Sequence, residues 1–206
     1  PKIEFDLYYF NKGYTLFSAK NYKKARPLLE MVKNNKDYES DAHYYLGHIS
    51  YQLDDYDGAL KSFQSISEAN KKDDLLYFQA DMNFRLGRFR NAIELAKKAL
   101  LNNNKNLKSE LSKIIGESYF NLDNYEMSIP FLELYEGKNG SWKNTDYYQL
   151  GYAYFKQKKY DLAISQFNKI IGEKNEIAQN SYYALAECYL KTNKKPEALN
   201  AFKKAY

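Results

Sequence analysis

The sequence has 206 residues, of which only four are proline and nine are glycine, and good helix formers occur throughout. This composition excludes a turn-rich all-β domain and predicts an all-α protein. The formal net charge of +5 at pH 7 indicates a solvated basic surface at least as well as a nucleic-acid site, because much of the lysine falls in predicted turns and helix ends. A single cysteine, Cys188, excludes an intramolecular disulfide and a cysteine-based zinc site.

A short pattern recurs six times along the chain. We call its small first residue the anchor and number each repeat from it; the anchors are Gly13, Gly47, Ala80, Gly116, Gly151 and Ala186. Five of the six repeats have an aromatic residue at position +9, and five have alanine at position +12. Positions +12, +16 and +19 share one face of a helix, so each repeat predicts two amphipathic helices. We expect the small residues at the anchor and at +12 to let the two helices cross closely, and the aromatic residue at +9 to fill the wedge between them. The repeats cover approximately 6–39, 40–72, 73–108, 109–143, 144–178 and 179–206.

Local signals mark the second helix of several repeats. Asn21, Asp55 and Asn124 stand at position +8, where a side-chain oxygen can cap the free amides of the second helix. Pro27 and Pro130 both stand at position +14, inside that helix. A proline there removes one backbone hydrogen bond, and its shared position predicts a continuous helix with a local bend.

The repeats resemble the tetratricopeptide repeat family, most clearly in YYLGHISYQLDDYDGALKSF (44–63) and YYQLGYAYFKQKKYDLAISQF (147–167). Repeat four departs from the pattern with Ser128 at the usual alanine, and repeat six with Lys195 at the usual aromatic residue. The resemblance implies one all-α domain over 1–206, a right-handed α-solenoid of antiparallel helix pairs with about twelve helices. We also expect this chain to be a segment of a larger bacterial protein of the family.

The resemblance further implies that positions −6, −3, +1, +4 and +5 of the first helices face an inner wall, which would be the partner-binding groove. The candidate groove residues are Phe10, Tyr14, Phe17, Asp41, Tyr44, His48, Tyr51, Asp74, Tyr77, Asp81, Phe84, Glu117, Phe120, Tyr148, Tyr152, Phe155 and Tyr183. Tyrosine rings are common at binding hot spots, although some of these rings could instead pack against the next repeat.

The charge of the inward-facing residues changes sign along the sequence. Acidic residues occupy inward positions in repeats two to four, and Lys156 and Lys191 occupy them in repeats five and six. This pattern predicts an extended peptide or partner helix whose basic residues lie against the acidic part, because complementary charge fixes register. The alternative is an ordinary solvated helix face.

No catalytic constellation is present in the sequence. His43 and His48 are five residues apart, which places them on different sides of one helix, and no cysteine or HExxH pattern stands beside them. Cys188 falls in a predicted packed helix and is expected to belong to the core. We therefore expect no enzyme activity, no metal and no cofactor.

The only tryptophan, Trp142, lies in the long connection 135–146 between repeats four and five. An exposed tryptophan there would be a contact residue for a partner. We expect instead that the ring folds back over the end of its helix.

These features predict a non-catalytic scaffold or adaptor that presents a concave aromatic and partly acidic groove to a protein or peptide. One alternative is a sensory or regulatory repeat module fused to an effector domain in a bacterial regulator or envelope protein. A second is an RNA-binding helical repeat, which the acidic and aromatic middle repeats disfavour. The sequence does not distinguish the bacterial cytoplasm from the periplasm. It also leaves open the oligomeric state and the identity of the partner.

Overall fold

The computed structural model of the chain describes residues 2–67, 74–102, 105–170 and 175–205. Twelve α-helices form within these ranges, together with a 3₁₀ turn at Lys105–Leu107. The helices are α1 Lys2–Ser18, α2 Tyr22–Val32, α3 Glu39–Gln52, α4 Tyr56–Gln64, α5 Leu75–Arg85, α6 Phe89–Leu101, α7 Lys108–Asn121, α8 Tyr125–Glu133, α9 Asn144–Lys156, α10 Tyr160–Phe167, α11 Glu176–Lys191 and α12 Lys195–Ala205.

The helices divide between two compact units, Pro1–Asn91 and Ala92–Tyr206, with the boundary inside α6. In the first unit α1 packs on α2 and α3 on α4, and α2 and α4 each contact the first helix of the next repeat. In the second unit α7 packs on α8, α9 on α10 and α11 on α12, and α8 and α10 contact the following first helix. The predicted all-α helical repeat solenoid is confirmed. The handedness, the repeat bounds and the single domain over 1–206 stay predictions; the 72/73 boundary and Tyr206 lie outside the described residues.

The contact that holds each helix pair together joins the anchor to position +16. A Cβ atom added to Gly47 would lie 2.4 Å from Cε1 of Phe63, and one added to Gly151 would lie 2.8 Å from the same atom of Phe167. At Gly13 and Gly116 the equivalent neighbour is a leucine, again at position +16, 2.9 Å and 2.8 Å away. Glycine is therefore required at these anchors because the opposing side chain occupies the space of a Cβ.

This contact corrects one sequence expectation, that the aromatic residue at +9 fills the wedge between the two helices. The +9 rings are only half-buried and pair with the ring at +4 of their own repeat. The ring centroids are 5.5–6.3 Å apart in five repeats, in the pairs Phe17–Tyr22, Tyr51–Tyr56, Phe84–Phe89, Phe120–Tyr125 and Phe155–Tyr160. The side chain at +16 fills the interior of the wedge between the two helices, since Phe63, Phe167 and Leu29 are fully buried.

Every turn between the two helices of a repeat has the same backbone geometry. Position +7 is left-handed in all six repeats, with φ between 57° and 70°, at Lys20, Asp54, Gly87, Asp123, Lys158 and Asn193. The amide of +8 donates to the carbonyl of +3 at 2.8–2.9 Å, and the amide of +7 donates to that of +4 at 2.8–3.2 Å. These paired bonds define a Schellman motif, which satisfies the last carbonyls of the first helix. Only one of the six turns has the glycine that this conformation favours.

Two of the three predicted caps form. The side chain of Asp55 accepts a hydrogen bond from the amide of Gly58, and that of Asn124 accepts one from Met127. Asn21 precedes α2 but makes no capping bond, so that part of the prediction is wrong.

Both prolines at position +14 lie inside continuous helices, as predicted. Pro27 lies within α2 and Pro130 within α8. Each of these helices keeps its alanine or serine at +12 and its leucine at +16 buried, so the proline leaves the packed face intact.

The anchor contact predicts strong coupling between Gly47 and Phe63. Gly47→Ala should lower the free energy of unfolding by about 1–3 kcal/mol because its Cβ overpacks the ring. Phe63→Ala removes that ring and should cost about 3–5 kcal/mol alone. The double variant should be less destabilised than the two losses added together, as measured by urea unfolding. Gly151→Ala combined with Phe63→Ala is the matched control, and its effects should add; additive losses at Gly47 and Phe63 would contradict the contact.

The turn geometry predicts opposite effects at two positions. A Cβ at Gly87 meets nothing within 4 Å, so Gly87→Ala should cost about 1 kcal/mol from backbone strain alone. Lys158→Gly should stabilise the fold by up to about 1 kcal/mol by relieving the same strain. Lys158→Ala removes the side chain but keeps the strain, so thermal unfolding of this control should show no gain.

Candidate functional site

In the first unit the predicted groove aromatics connect one repeat to the next. The ring of Phe17, at position +4, lies 4.9 Å from Tyr45 and 6.3 Å from His48 of the following repeat. Phe10, at −3, lies 6.3 Å from the same ring of Tyr45. The side chains at −3 and +4 therefore pack one repeat against the next.

Tyrosines at these positions in repeat two also donate hydrogen bonds to carboxylates of repeat three. Tyr44 donates to Asp74 at 2.9 Å, and Tyr51 donates to Asp81 at 2.6 Å. Burial, with the hydrogen bond to the neighbouring carboxylate, raises the pKa of both phenols, so they stay protonated as donors. Asp74 and Asp81, both predicted to line the acidic wall, thus accept hydrogen bonds within the fold.

Sequence reasoning missed the cation that completes this network. Arg85, at position +5, donates from Nε to Asp81 at 2.7 Å, and its guanidinium lies over the rings of Tyr51 and Tyr56, 5.8 Å and 5.5 Å from their centroids. Asp81 is only 8% exposed. The sequence carries the signal, because +5 is an inward position and Arg85 occupies it in repeat three.

The second unit uses a lysine at the same type of junction. Lys113, at −3 in repeat four, forms an ion pair with Asp146 at 2.7 Å, approaches Glu117 at 3.8 Å and lies 4.3 Å from the ring centroid of Tyr135. Burial opposes the charge of Lys113, but Asp146 and Glu117 raise its pKa on balance, so the ammonium stays charged. Burial raises the pKa of Glu117 although Lys113 acts against the rise.

An aromatic surface remains in repeats four and five, on α7, α8 and α9. The ring of Tyr152 lies 5.9 Å from Phe120, 5.8 Å from Tyr125, 5.7 Å from Tyr148 and 6.0 Å from Phe155, and all of these rings are half-buried. The ammonium of Lys156 lies over Tyr125 and Tyr152, 5.6 Å and 5.8 Å from their centroids. This surface is aromatic and cationic.

Few of the candidate groove residues are fully accessible. Tyr14 is 45% exposed, Tyr183 is 53% exposed and Asp41 is exposed. Asp41 and Tyr14 both act on the phenol of Tyr45, whose ring centroid is 5.2 Å from that of Tyr14. Of the acids predicted to line the groove, Asp41 alone is exposed. The exposed acidic part of the wall is therefore smaller than the sequence predicted. The remaining candidates are Tyr77 and Phe84, which are half-buried.

Trp142 and Cys188 occupy the positions expected of them. Trp142 is half-buried, donates from Nε1 to the carbonyl of Tyr135 at 2.8 Å and lies between the rings of Tyr135 and Tyr147. Cys188 is fully buried, and burial raises the pKa of its thiol to about 12. The Cys188 thiol is therefore enclosed in the core, and the Trp142 ring is held by residues on either side of it in the chain.

The described ranges contain no group of three or more His, Cys, Asp or Glu side chains placed to hold a metal ion. No helix in the part of the chain that the structure describes is long and apolar enough to cross a membrane.

Two family models match this chain. The model described as tetratricopeptide repeat matches residues 10–74 and 50–106, and the model described as anaphase-promoting complex, cyclosome, subunit 3 matches residues 133–205. Together they span most of the sequence, and the repeated anchor contact and turn occur in both spans. The chain belongs to the tetratricopeptide repeat family.

Several solved tetratricopeptide repeat structures share this fold. The structure of MamA protein is 23% identical, with 82% of this chain and 91% of that chain covered and a TM-score of 0.66. YrrB is 15% identical, with coverage of 86% and 90% and a TM-score of 0.69. The C-terminal part of a repeat-containing protein from Cytophaga hutchinsonii is 21% identical, with coverage of 95% and 77% and a TM-score of 0.68. No curated protein matches the chain at a significant level.

The structure also accounts for one departure from the tetratricopeptide repeat pattern. Ser128 replaces the usual alanine at +12 and is fully buried, and its hydroxyl donates to the carbonyl of the anchor Gly116 at 2.8 Å. A buried hydroxyl is tolerated because its hydrogen bond is made.

The raised pKa of Glu117 predicts a pH-dependent gain in stability for Glu117→Gln. The native state holds the Glu117 proton more tightly than the unfolded state, whose pKa is near the ordinary 4.5, so ionisation costs stability as the pH rises through and above that value. Below pH 4.5 the variant and the parent should have similar free energies of unfolding, and at pH 7.5 the variant should be more stable. Lys113 keeps Asp146 as its partner in the variant.

Urea unfolding at both pH values measures this difference. Glu126→Gln, at an exposed position of α8, is the matched control and should show no comparable gain. A loss of stability for Glu117→Gln that grows with pH would contradict the assignment.

Proposed function

We propose that this chain is a non-catalytic scaffold that binds a protein or peptide on the inner wall of its repeats. The family supports this function, since helical repeat arrays present extended surfaces for protein partners. YrrB, which shares the fold, is described as a TPR protein with an unusual peptide-binding site.

The observation that carries the proposal is the exposed surface formed by Tyr14, Asp41 and Tyr45, which we call the Tyr14 surface. Tyr14 and Tyr45 present two adjacent rings, and Asp41 adds an exposed carboxylate beside them. Such a combination favours a lysine or arginine side chain, because the rings attract a cation and the carboxylate pairs with it. Tyr14 and Asp41 are exposed and Tyr45 is half-buried, whereas Asp81 is buried.

We infer that the partner places a basic residue of an extended segment on the Tyr14 surface. The aromatic and cationic surface around Tyr152 and Lys156 favours an acidic or aromatic residue of a ligand. The alternative function, a sensory or regulatory module, would use the same surfaces. It differs only in that the chain would be joined to an effector domain.

Selection of random peptides on the immobilised chain tests this proposal. Selected peptides should be enriched in lysine or arginine, and Asp41→Lys should weaken their binding by about tenfold or more because it reverses the charge. Tyr14→Ala should weaken binding by several-fold, as measured by fluorescence anisotropy with a labelled peptide.

Glu30→Lys is the matched control, because Glu30 is exposed on the second helix of repeat one. This variant should bind the selected peptides as the parent does. Equal loss in Glu30→Lys and Asp41→Lys would show a general charge effect and contradict a site. Salt-sensitive binding of single-stranded RNA that Asp41→Lys strengthens would favour the RNA-binding alternative.

A further inference from the structure

The second helix of repeat four, α8, carries apolar residues on two sides. Ile129 and Leu132 lie in the hydrophobic core of the second unit. A further set has the spacing i, i+3, i+4 and i+7, which places its members in one stripe along the helix: Met127, Pro130, Phe131 and Leu134. Met127 is 40% exposed, Leu134 is 48% exposed, Pro130 is exposed and Phe131 is half-buried. We call this set the α8 stripe.

The repeats on both sides of α8 are in place around this stripe. The ammonium of Lys97 in α6 lies 5.8 Å from the ring centroid of Phe131, and Phe131 stacks on Tyr119 of α7 at 6.1 Å. On the other side of the helix, Tyr154 of α9 donates a hydrogen bond to Glu133. Met127 and Leu134 stay exposed beside these neighbours, so a missing repeat does not account for their exposure.

The nearby second helices are more polar at the same positions. In the numbering of the repeats, the α8 stripe occupies +11, +14, +15 and +18. These positions hold Asn91, Glu94, Leu95 and Lys98 in repeat three, Leu162, Ser165, Gln166 and Lys169 in repeat five, and Glu197, Asn200, Ala201 and Lys204 in repeat six. None of these three repeats has more than one apolar residue larger than alanine there. A contiguous apolar stripe on a polar surface is typical of an interaction site.

The border of the α8 stripe is acidic. No lysine or arginine occurs between residues 122 and 137, although the chain as a whole has a net charge of +5. Four acidic residues in this segment are exposed: Asp123, Glu126, Glu133 and Glu136. Glu126 and Glu133 are two helical turns apart, so they lie along one edge of the stripe. A ligand on the stripe therefore meets carboxylates along that edge.

A shorter apolar set on α2 has the opposite border. Its members Pro27, Leu28 and Met31 follow the exposed lysines Lys23 and Lys24. The charge of a ligand therefore distinguishes the α8 stripe from this set.

A basic amphipathic helix fits the α8 stripe. Side chains at i, i+3, i+4 and i+7 form a ridge that packs into the groove of another helix. Lysine or arginine beside the apolar residues of that helix would pair with Glu126 and Glu133. The same carboxylates repel the phosphates of anionic lipids and of nucleic acids.

We propose that the α8 stripe binds an amphipathic helix of a partner protein whose apolar residues are bordered by lysine or arginine. The stripe lies on a second helix, whereas the Tyr14 surface lies on the first helices α1 and α3. This site therefore goes beyond the proposed function. Its recognition combines apolar contact with charge pairing along one edge.

Two synthetic peptides of about 20 residues test the charge rule, a length at which a helix can form in isolation. Both have leucine at i, i+3, i+4 and i+7, and their other positions alternate between alanine and either lysine or glutamate. The lysine peptide should bind the chain about tenfold more tightly than the glutamate peptide in fluorescence anisotropy. Attraction by the net charge of +5 alone would give the opposite order.

Leu134→Lys should weaken binding of the lysine peptide by about tenfold, because it places a charge in the apolar stripe. Leu162→Lys is the matched control, since Leu162 is 47% exposed on α10 and the variant adds the same charge. This control should bind as the parent does. Far-UV circular dichroism checks that both variants keep their helices.

Glu126→Lys should reduce the preference for the lysine peptide, because it removes one carboxylate from the acidic edge. Asp41→Lys should leave this binding unchanged, which separates the α8 stripe from the Tyr14 surface.

Four outcomes would overturn the proposal. The first is no binding of the lysine peptide up to about 1 mM, or tighter binding of the glutamate peptide. The second is an equal loss of binding in Leu134→Lys and Leu162→Lys. The third is a dimer in sedimentation that Leu134→Lys dissociates, which would assign the stripe to a second copy of the chain. The fourth is pelleting with phosphatidylcholine vesicles that Leu134→Lys abolishes, which would assign it to a lipid surface.

Discussion

The structure depends on the close contact between the anchor of each first helix and the side chain at +16 of the second. At four anchors there is no room for a Cβ, because Leu29, Phe63, Leu132 or Phe167 occupies that volume. This contact sets the distance between the two helices of a repeat, and thus which residues reach the next repeat. The left-handed turn at +7 returns the chain within three residues, so the anchor and position +16 come together in each of these four repeats.

Stacking of repeats then uses most of the aromatic and charged groups on the first helices. Tyr51 and Asp81 illustrate this, because a phenol and a carboxylate that could both contact a ligand are bonded to each other and to Arg85. In the second unit Lys113 and Asp146 serve the same purpose. The surfaces proposed for binding therefore use side chains that stacking leaves at least partly exposed, at the Tyr14 surface, at the rings around Tyr152 and at the α8 stripe.

The sequence by itself determined the helix pairs, their number and the face that each second helix buries, because a recurring spacing of small, aromatic and apolar residues constrains local geometry directly. It also predicted the core position of Cys188, the folded-back ring of Trp142, and the caps at Asp55 and Asn124. Only the tertiary structure decided that +16 and not +9 fills the wedge, that five non-glycine residues adopt the left-handed turn, and that Asp81 and Glu117 are internal. The internal position of Asp81 depends on Tyr51, 30 residues away, and the filling of the wedge depends on a side chain in the other helix of the repeat. No local pattern records which of two inward side chains meets its neighbour and which meets solvent.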